Sequence, residues 1–396
     1  MSIQIKVKKL NLHNAIQFVF VAAGSGDDSA IHTHFLFCWR VASETLLVMA
    51  QNGKMLLAEA IVEDAEVTVD VADDVKEVSF TVPAWRLVKF LGAAKDEDTI
   101  TLDHDGSSTR AKQPKGSGRF GSLDPNGPNG WPWWTDTYAA AKSTTKIASN
   151  RLADILAYSR NFVSDQEQRS PALCAMECKD GMLSATDSEA VGLVRSPTLA
   201  NSEMRIHGKD VAAALSALAQ CKEEEVTLLE HDRCLFIVRA NGSYIGISRW
   251  IHQFPMMKNL NFDSSATPKC SFTVKTADLT GAMDFLEAFA KKDYGYLHFR
   301  FNDGRIVVAM ESGSGDPNGE EHTIDCVAHD SMDALAAAGH SEFRLSKKFV
   351  RTVASTFGEE TIQFRVDVTQ KNGYVSFYHD RDDDEYCTVI VWKRKD

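Results

Sequence analysis

The 396-residue chain has no run near the roughly 18 consecutive apolar residues of a membrane span, so no membrane-crossing helix is expected. It has no CxxC pair. Its eight cysteines, Cys38, Cys174, Cys178, Cys221, Cys234, Cys270, Cys326 and Cys387, are scattered, which reads as reduced core thiols of a cytoplasmic protein. It also lacks the GxxxxGK[ST] phosphate loop and the GxSxG elbow. The Gly-Ser runs at Gly24 and Gly313 lack the lysine and the strand-to-helix context those motifs need. Positive charge is not in excess: 43 Lys and Arg stand against 55 Asp and Glu, a net charge of −12. This argues against nonspecific coating of nucleic acid. It leaves open basic residues gathered on one surface, because binding follows the local field.

Hydrophobic content of 44% and charged content of 25% are those of a globular protein, and the length allows two to four domains. Near the start, Ile3, Ile5 and Val7 alternate with polar residues, which predicts a strand and not a signal peptide.

One layout then occurs three times: a short strand, a helix carrying basic residues, an acidic turn and another strand. The copies are Ser79–Val82 with a helix from Pro83 to Ala93, Met204–Ile206 with a helix from Lys209 to Gln220, and Phe343–Leu345 with a helix from Lys347 to Thr356. Each third also begins alike, with a strand leading to an apolar-striped helix: from Leu10, from Arg151 and from Ala277. The copies lie close to a third of the chain apart. Three similar domains follow, each with two helices packed on antiparallel sheets, an α+β class. Turn residues cluster over Pro114–Gly130 and again over Asn261–Pro268, which sets the domains at 1–140, 141–264 and 265–396. Gly313–Gly319 reads as a loop within the third.

No catalytic residue, cofactor or metal is expected. His32 and His34 would share one strand face, but nothing nearby completes a ligand set. Arg381–Glu385 reads as a solvated hairpin tip, and Cys174 and Cys178 as core thiols on one strand face. More informative are the basic pairs Arg86 and Lys89 (i, i+3) and Lys347 and Arg351 (i, i+4), with Lys348 beside them, each sharing a helix face. A lone basic helix face is ordinarily just solvated; recurrence in an acidic chain favours a purpose. Asp278, Asp284 and Glu287 make the first helix of the last third acidic.

Several segments resemble the bacterial sliding clamp, the beta subunit of DNA polymerase III. They are Ser79-Phe80-Thr81-Val82-Pro83-Ala84, Gly118-Arg119-Phe120 with the Pro/Trp segment after it, Ala185-Thr186-Asp187, and Ile247-Ser248-Arg249-Trp250-Ile251 with Phe254-Pro255. Their order and spacing carry the likeness over nearly the whole chain. The resemblance implies a DNA clamp fold and a head-to-tail homodimeric ring. It implies a processivity factor that encircles double-stranded DNA without sequence readout and holds a replicative DNA polymerase, a clamp loader and other clamp-binding-motif proteins. Positions matching the DNA-facing ones are Gln166 and Arg169, beside Arg86, Lys89, Lys209, Lys347, Lys348 and Arg351.

Positions matching a hydrophobic peptide pocket are Leu173, Thr186, Ser188, Ala190, Val191, Pro255, Asn259, Leu260, Tyr294, Ser346, Phe349, Val389, Ile390, Val391, Trp392 and Arg394. Leu260, Phe349, Val389 and Val391 also fit an ordinary core. Arg119 and Phe120 match one edge of the dimer contact; Phe289, Glu320 and Glu321 match the facing edge. The chain departs from the family pattern at Ser188-Glu189-Ala190-Val191, where Gly-His-Arg-Leu is usual, and at Val391-Trp392-Lys393-Arg394, where Met-Pro-Met-Arg is usual. A clamp-fold interaction scaffold without a DNA role is the alternative. An enzyme on a repeated scaffold is disfavoured by the missing motifs.

Overall fold

The computed structural model describes residues 2–24, 30–53, 56–72, 74–127, 130–131, 134–221, 224–255, 270–289, 295–302, 304–311, 317–329, 342–368 and 373–391. The chain packs as two compact units. One comprises Met1–Leu156 with Asn201–Ile251, the other Ala157–Ala200 with His252–Asp396.

The first unit holds β1 (Ser2–Lys8), α1 (Lys9–Phe20), β2 (His34–Arg40), β3 (Thr45–Gln51), β4 (Leu56–Ile61), β5 (Glu66–Asp70), β6 (Glu77–Pro83), α2 (Ala84–Leu91), β7 (Thr99–His104), β8 (Ser108–Gln113), β9 (Gly116–Gly121), α3 (Thr135–Ala140) and β10 (Lys142–Ala148). Helix α4 (Ser149–Arg160) contains the division. After it the unit resumes with β14 (Arg205–His207), α5 (Gly208–Leu218), β15 (Glu225–Glu230), β16 (Cys234–Val238) and β17 (Tyr244–Ser248). Strands β11 (Ala175–Lys179), β12 (Met182–Thr186) and β13 (Ala190–Arg195) belong to the second unit. So do β18 (Cys270–Lys275), α6 (Thr276–Phe289), β19 (Tyr296–Asn302), β20 (Arg305–Glu311), β21 (Pro317–Asp325), β22 (Ala328–His329), β23 (Glu342–Ser346), α7 (Lys347–Phe357), β24 (Thr361–Val368), β25 (Gly373–Arg381) and β26 (Asp384–Val391).

In the first unit the predicted alternation of β1 is realised: Ile3, Ile5 and Val7 are buried, and the strand sits between β5 and β7 in the order β5-β1-β7-β8-β9. A second sheet runs β10-β15-β16-β17-β4-β3-β2-β6. Its join between β17 and β4 is close. A Cβ on Gly246 would lie 2.8 Å from Phe236 and 2.9 Å from Leu57, so only glycine fits there. Helix α1 packs on β3 and β4 through Leu12, Ile16 and Val19, and α2 buries Leu87 and Leu91. Trp131 enters the core with Leu36, Leu47 and Met49, and Tyr138 stacks on Tyr244 at 4.3 Å.

In the second unit one sheet includes the order β11-β12-β13-β26-β25-β24-β18-β22, and the other runs β21-β20-β19-β23. Phe272, Phe299, Phe343, Phe364 and Phe377 fill its core, with Phe272 and Phe364 stacked at 4.5 Å. Asp382 and Asp383, at φ 53° and 65°, make the tight turn between β25 and β26, as the hairpin reading expects.

The two packed units cut across the three sequence repeats. The reason is strand pairing: β17 bonds β4, and β13 bonds β26, so the middle third shares a sheet with a neighbour on each side. Among the described residues the helices still fall two to a third, with α3 apart. Domains at 1–140, 141–264 and 265–396 therefore stand as a proposal from the repeat, and the second boundary lies outside the described residues. Three local expectations change. His32 lies in a short turn, Ala30–Thr33, ahead of β2, where its ring packs over Gly53; it does not share a strand face with His34, whose Nδ1 donates to the Ala30 carbonyl at 2.9 Å. Cys174 closes the turn Pro171–Cys174, which proline initiates, and only Cys178 is in a strand. Pro317 and the two residues after it begin β21 instead of a loop, because Pro317 lies opposite Glu311.

Candidate functional site

The expected peptide pocket falls in the second unit, around the β13–β26 pair. Ala190 lies opposite Ile390 and Val191 opposite Val389. The turn before β13 is tied by its own side chains. Thr186 Oγ1 donates to the Ala190 carbonyl at 2.7 Å and accepts from the Ser188 N–H at 3.1 Å. Asp187 Oδ1 accepts from the Glu189 and Ala190 N–H groups. These bonds hold Ser188 at φ 81°. Burial pushes the Asp187 carboxyl above its usual range, against the pull of those N–H groups and of Lys348. Tyr296 donates its hydroxyl to Glu189 Oε1 at 2.7 Å, and the Val391 N–H reaches the Glu189 carbonyl at 2.9 Å. Ser346, opposite Tyr296 in the β19–β23 pair, immediately precedes α7 and is buried.

Behind β13 stands an aromatic stack absent from the sequence expectation. Phe349 of α7 lies flat on Phe162, centroids 5.5 Å apart and planes 9° apart. Phe162 in turn sits over Gly192, where a Cβ would come within 2.1 Å of the ring. Tyr158 meets Phe162 and Tyr386, and its hydroxyl pairs with Thr388 Oγ1 at 2.7 Å. The glycine in β13 was the readable signal for this close approach.

The strand geometry divides the expected pocket residues between two faces of the sheet. Successive strand residues face opposite ways. Thr388 and Tyr386 meet the Tyr158–Phe162 side, and Ala190, Gly192 and Ile390 share that parity. Val191, Leu193, Cys387 and Val389 form a separate cluster with Met182, Tyr374 and Tyr378. Val389 and Val391 therefore share one face of the sheet and Ile390 the other. Thr186, Ala190, Val191, Ser346, Phe349, Val389 and Ile390 are all buried; Ser188 is exposed and Val391 is 39% exposed. Leu173, in the turn Pro171–Cys174, and Pro255, next to buried Phe254, are half-buried. Asn259, Leu260, Tyr294, Trp392 and Arg394 lie outside the described residues.

The expected DNA-facing residues divide by unit. In the first, Arg86 and Lys89 are exposed on α2, and neither makes an ion pair among the described residues. Lys209 is exposed at the start of α5, where the His207 side chain accepts from its N–H at 3.2 Å. In the second, Gln166 and Arg169 are exposed after α4, and Lys348 is exposed on α7 with its ammonium 4.8 Å from the Phe349 ring. Lys347 and Arg351 are engaged by the acidic face of α6. Lys347 meets Glu287 at 3.2 Å, and Arg351 meets both Asp284 and Glu287 at 2.9 Å. The bond to Asp284, with Glu287 beside it, raises the Arg351 pKa further.

Of the expected dimer residues, Arg119, Phe120, Glu320 and Glu321 lie on strands at sheet edges, and Phe289 ends helix α6. Among the described residues β9 ends one sheet and β21 another. Arg119 on β9 is exposed and bonds Asp105 at 3.2 Å and Ser108 at 2.8 Å. Phe120 is buried against Phe90 in its own unit, because its side of β9 faces the core. It offers little surface to a partner. Phe289 is 54% exposed and paired with Phe285 at 4.8 Å. Glu320 is exposed, and Glu321 bonds Arg300 at 2.9 Å.

No protein-family model matches the chain, and no curated protein matches it in sequence. Solved structures match along its whole length. The beta subunit of the DNA polymerase of Streptococcus pyogenes aligns with a TM-score of 0.80 at 13% identity, over 99% of this chain and 100% of that one. The DNA polymerase sliding clamp of Bacillus subtilis aligns at 0.79 and 14%, over 100% of both. The DNA polymerase III beta subunit of Thermotoga maritima aligns at 0.76 and 16%, again over 100% of both. The chain has the sliding-clamp fold. That likeness was expected from the sequence segments quoted above, and the α+β class is as read there.

Proposed function

We propose that this chain is a DNA polymerase processivity factor and catalyses no reaction itself. Two copies close head to tail into a ring around duplex DNA in the cytoplasm, and the ring tethers a replicative polymerase, a clamp loader and other proteins bearing short apolar peptides. The full-length fold likeness carries this reading, since it spans the whole of this chain and of the clamps it resembles. Two local features support it. Among the described residues β9 ends a sheet in the first unit and β21 ends one in the second, two edges that suit a head-to-tail closure. The exposed cations Arg86, Lys89, Lys209, Arg169 and Lys348 suit phosphates, which carry no sequence information. A ring holds DNA by topology, so affinity need not be high and an overall charge of −12 is tolerable.

The test is retention. Loaded on a nicked circular plasmid, the protein should stay on it through gel filtration at moderate salt and run off once the circle is cut. Equal loss from circle and linear form would end this reading. A second reading, a clamp-fold scaffold without a DNA role, is favoured by the ion pairs of Lys347 and Arg351 with α6, which occupy cations otherwise available to phosphate. A native mass of twice 43.8 kDa without plasmid retention would support it.

A further inference from the structure

Trp85 is 59% exposed, although its ring is among the largest apolar surfaces in the chain. It stands in the first turn of α2, next to Arg86 and four residues before Lys89. Phe20 of α1 backs it, with centroids 6.3 Å apart and planes 20° apart, and Phe20 is itself packed edge-on against buried Phe35. The indole is therefore held by the core while most of it faces solvent. The Lys89 ammonium stands over the ring, 5.1 Å from its centroid, on a flexible stem that an incoming base can displace toward its own phosphate. Arg86 and Lys89 carry no ion pair among the described residues, whereas the matching cations of α7 are taken up by Asp284 and Glu287.

We propose that Trp85, Arg86 and Lys89 form a stacking site for single-stranded DNA. A rigid outward indole can receive the face of an unstacked base, and flanking cations in an acidic protein complement the phosphates on either side. Bases within a duplex already stack on each other, so the ring gains nothing from them. Lys89 is within reach of a phosphate of the stacked nucleotide, and Arg86 projects from the adjacent position. The site stands on α1 and α2 and requires no ring closure. It would let the protein discriminate unpaired from paired DNA.

The experiment is fluorescence anisotropy with three labelled probes of equal length: oligo(dT), an abasic oligomer with the same phosphates, and a duplex. Wild type should bind oligo(dT) about fivefold or more tightly than the abasic oligomer. Trp85→Ala should cost about fivefold or more on oligo(dT) and leave duplex binding within about twofold, while Trp85→Phe should keep most of the affinity. Equal binding of oligo(dT) and the abasic oligomer by wild type overturns the proposal without recourse to a variant. So does an equal loss on oligo(dT) and duplex, or no measurable oligo(dT) binding. A fall in native mass with Trp85→Ala overturns it in favour of a contact between copies of the chain. Plasmid retention is read separately, so the clamp reading and this site fail independently.

Discussion

Arg351 and Glu287 are joined across two helices, Nη2 to Oε1 at 2.9 Å, and Asp284 shares the same guanidinium nitrogen. A helix that would be cationic alone is thus balanced by its neighbour. DNA phosphates must compete with fixed carboxylates for these groups. The double change Asp284→Asn with Glu287→Gln should therefore strengthen DNA binding. Freeing one or two cations should steepen the slope of log K against log salt by roughly one to two units. An unchanged slope would mean that α7 does not meet DNA. Charge removal at Lys348 should weaken binding alike on every sequence.

Gly192 predicts a packing cost. Gly192→Ala puts a Cβ 2.1 Å from the Phe162 ring, which is already stacked on Phe349. Denaturant unfolding should show a loss of about 1–3 kcal/mol. Phe162→Leu made in the same background should recover part of it. If the two changes are simply additive, the close contact is not what Gly192 protects.

The two phenylalanines expected at the dimer contact should behave differently. Phe289→Asp changes an exposed ring, so the folded subunit should persist while sedimentation reports a monomer. Phe120→Asp buries a charge inside the first unit and should lower stability by more than about 2 kcal/mol. A dimeric Phe289→Asp at low micromolar concentration would move the interface elsewhere.

Glu189 bears on partner choice. Its carboxylate is oriented by the Tyr296 hydroxyl beside exposed Ser188, where the clamp family usually carries histidine and arginine. A peptide with a basic flank should bind more tightly than one with an acidic flank. Glu189→Gln should narrow that preference by about two- to fivefold. Trp392→Ala should weaken a partner peptide tuned to this chain more than a generic clamp-binding peptide. Calorimetric titration of both peptides against each variant measures this, and equal affinities throughout would show that these positions do not select partners.

Thiol chemistry gives a pH-dependent check. Burial pushes Cys387 up to about 12, and burial does the same to Cys221, to about 11. With so little thiolate at pH 8, both should resist alkylation in the native protein and react once it is unfolded. Rapid native labelling of Cys387 would show that the β25–β26 hairpin opens readily.

The repeat, the α+β class and the positions of the helices were legible in the sequence because they rest on local rules. Ile3, Ile5 and Val7 alternate as a strand must. Leu87 and Leu91 recur as one helix face must, and Asp382-Asp383 stands where two alternating segments need a turn. None of these depends on what lies across the core. The pairing of β13 with β26 and of β17 with β4 joins residues far apart in the chain, and no local pattern names a strand's partner. That pairing divides the packing into two units where the repeat suggests three domains. It also decides what each face of β26 meets: Val389 joins the cluster with Tyr374 and Tyr378, while Ile390 shares the parity of Thr388, which bonds Tyr158. Charge behaved likewise: Arg351 reads as a cation on a helix, and only the placement of α6 beside α7 makes it half of a balanced pair. Trp85 and Phe120 mark the same boundary from either side, since both are large rings in amphipathic segments. Which one the core accepts and which it leaves in solvent is decided by long-range packing, not by the residue or its neighbours in sequence.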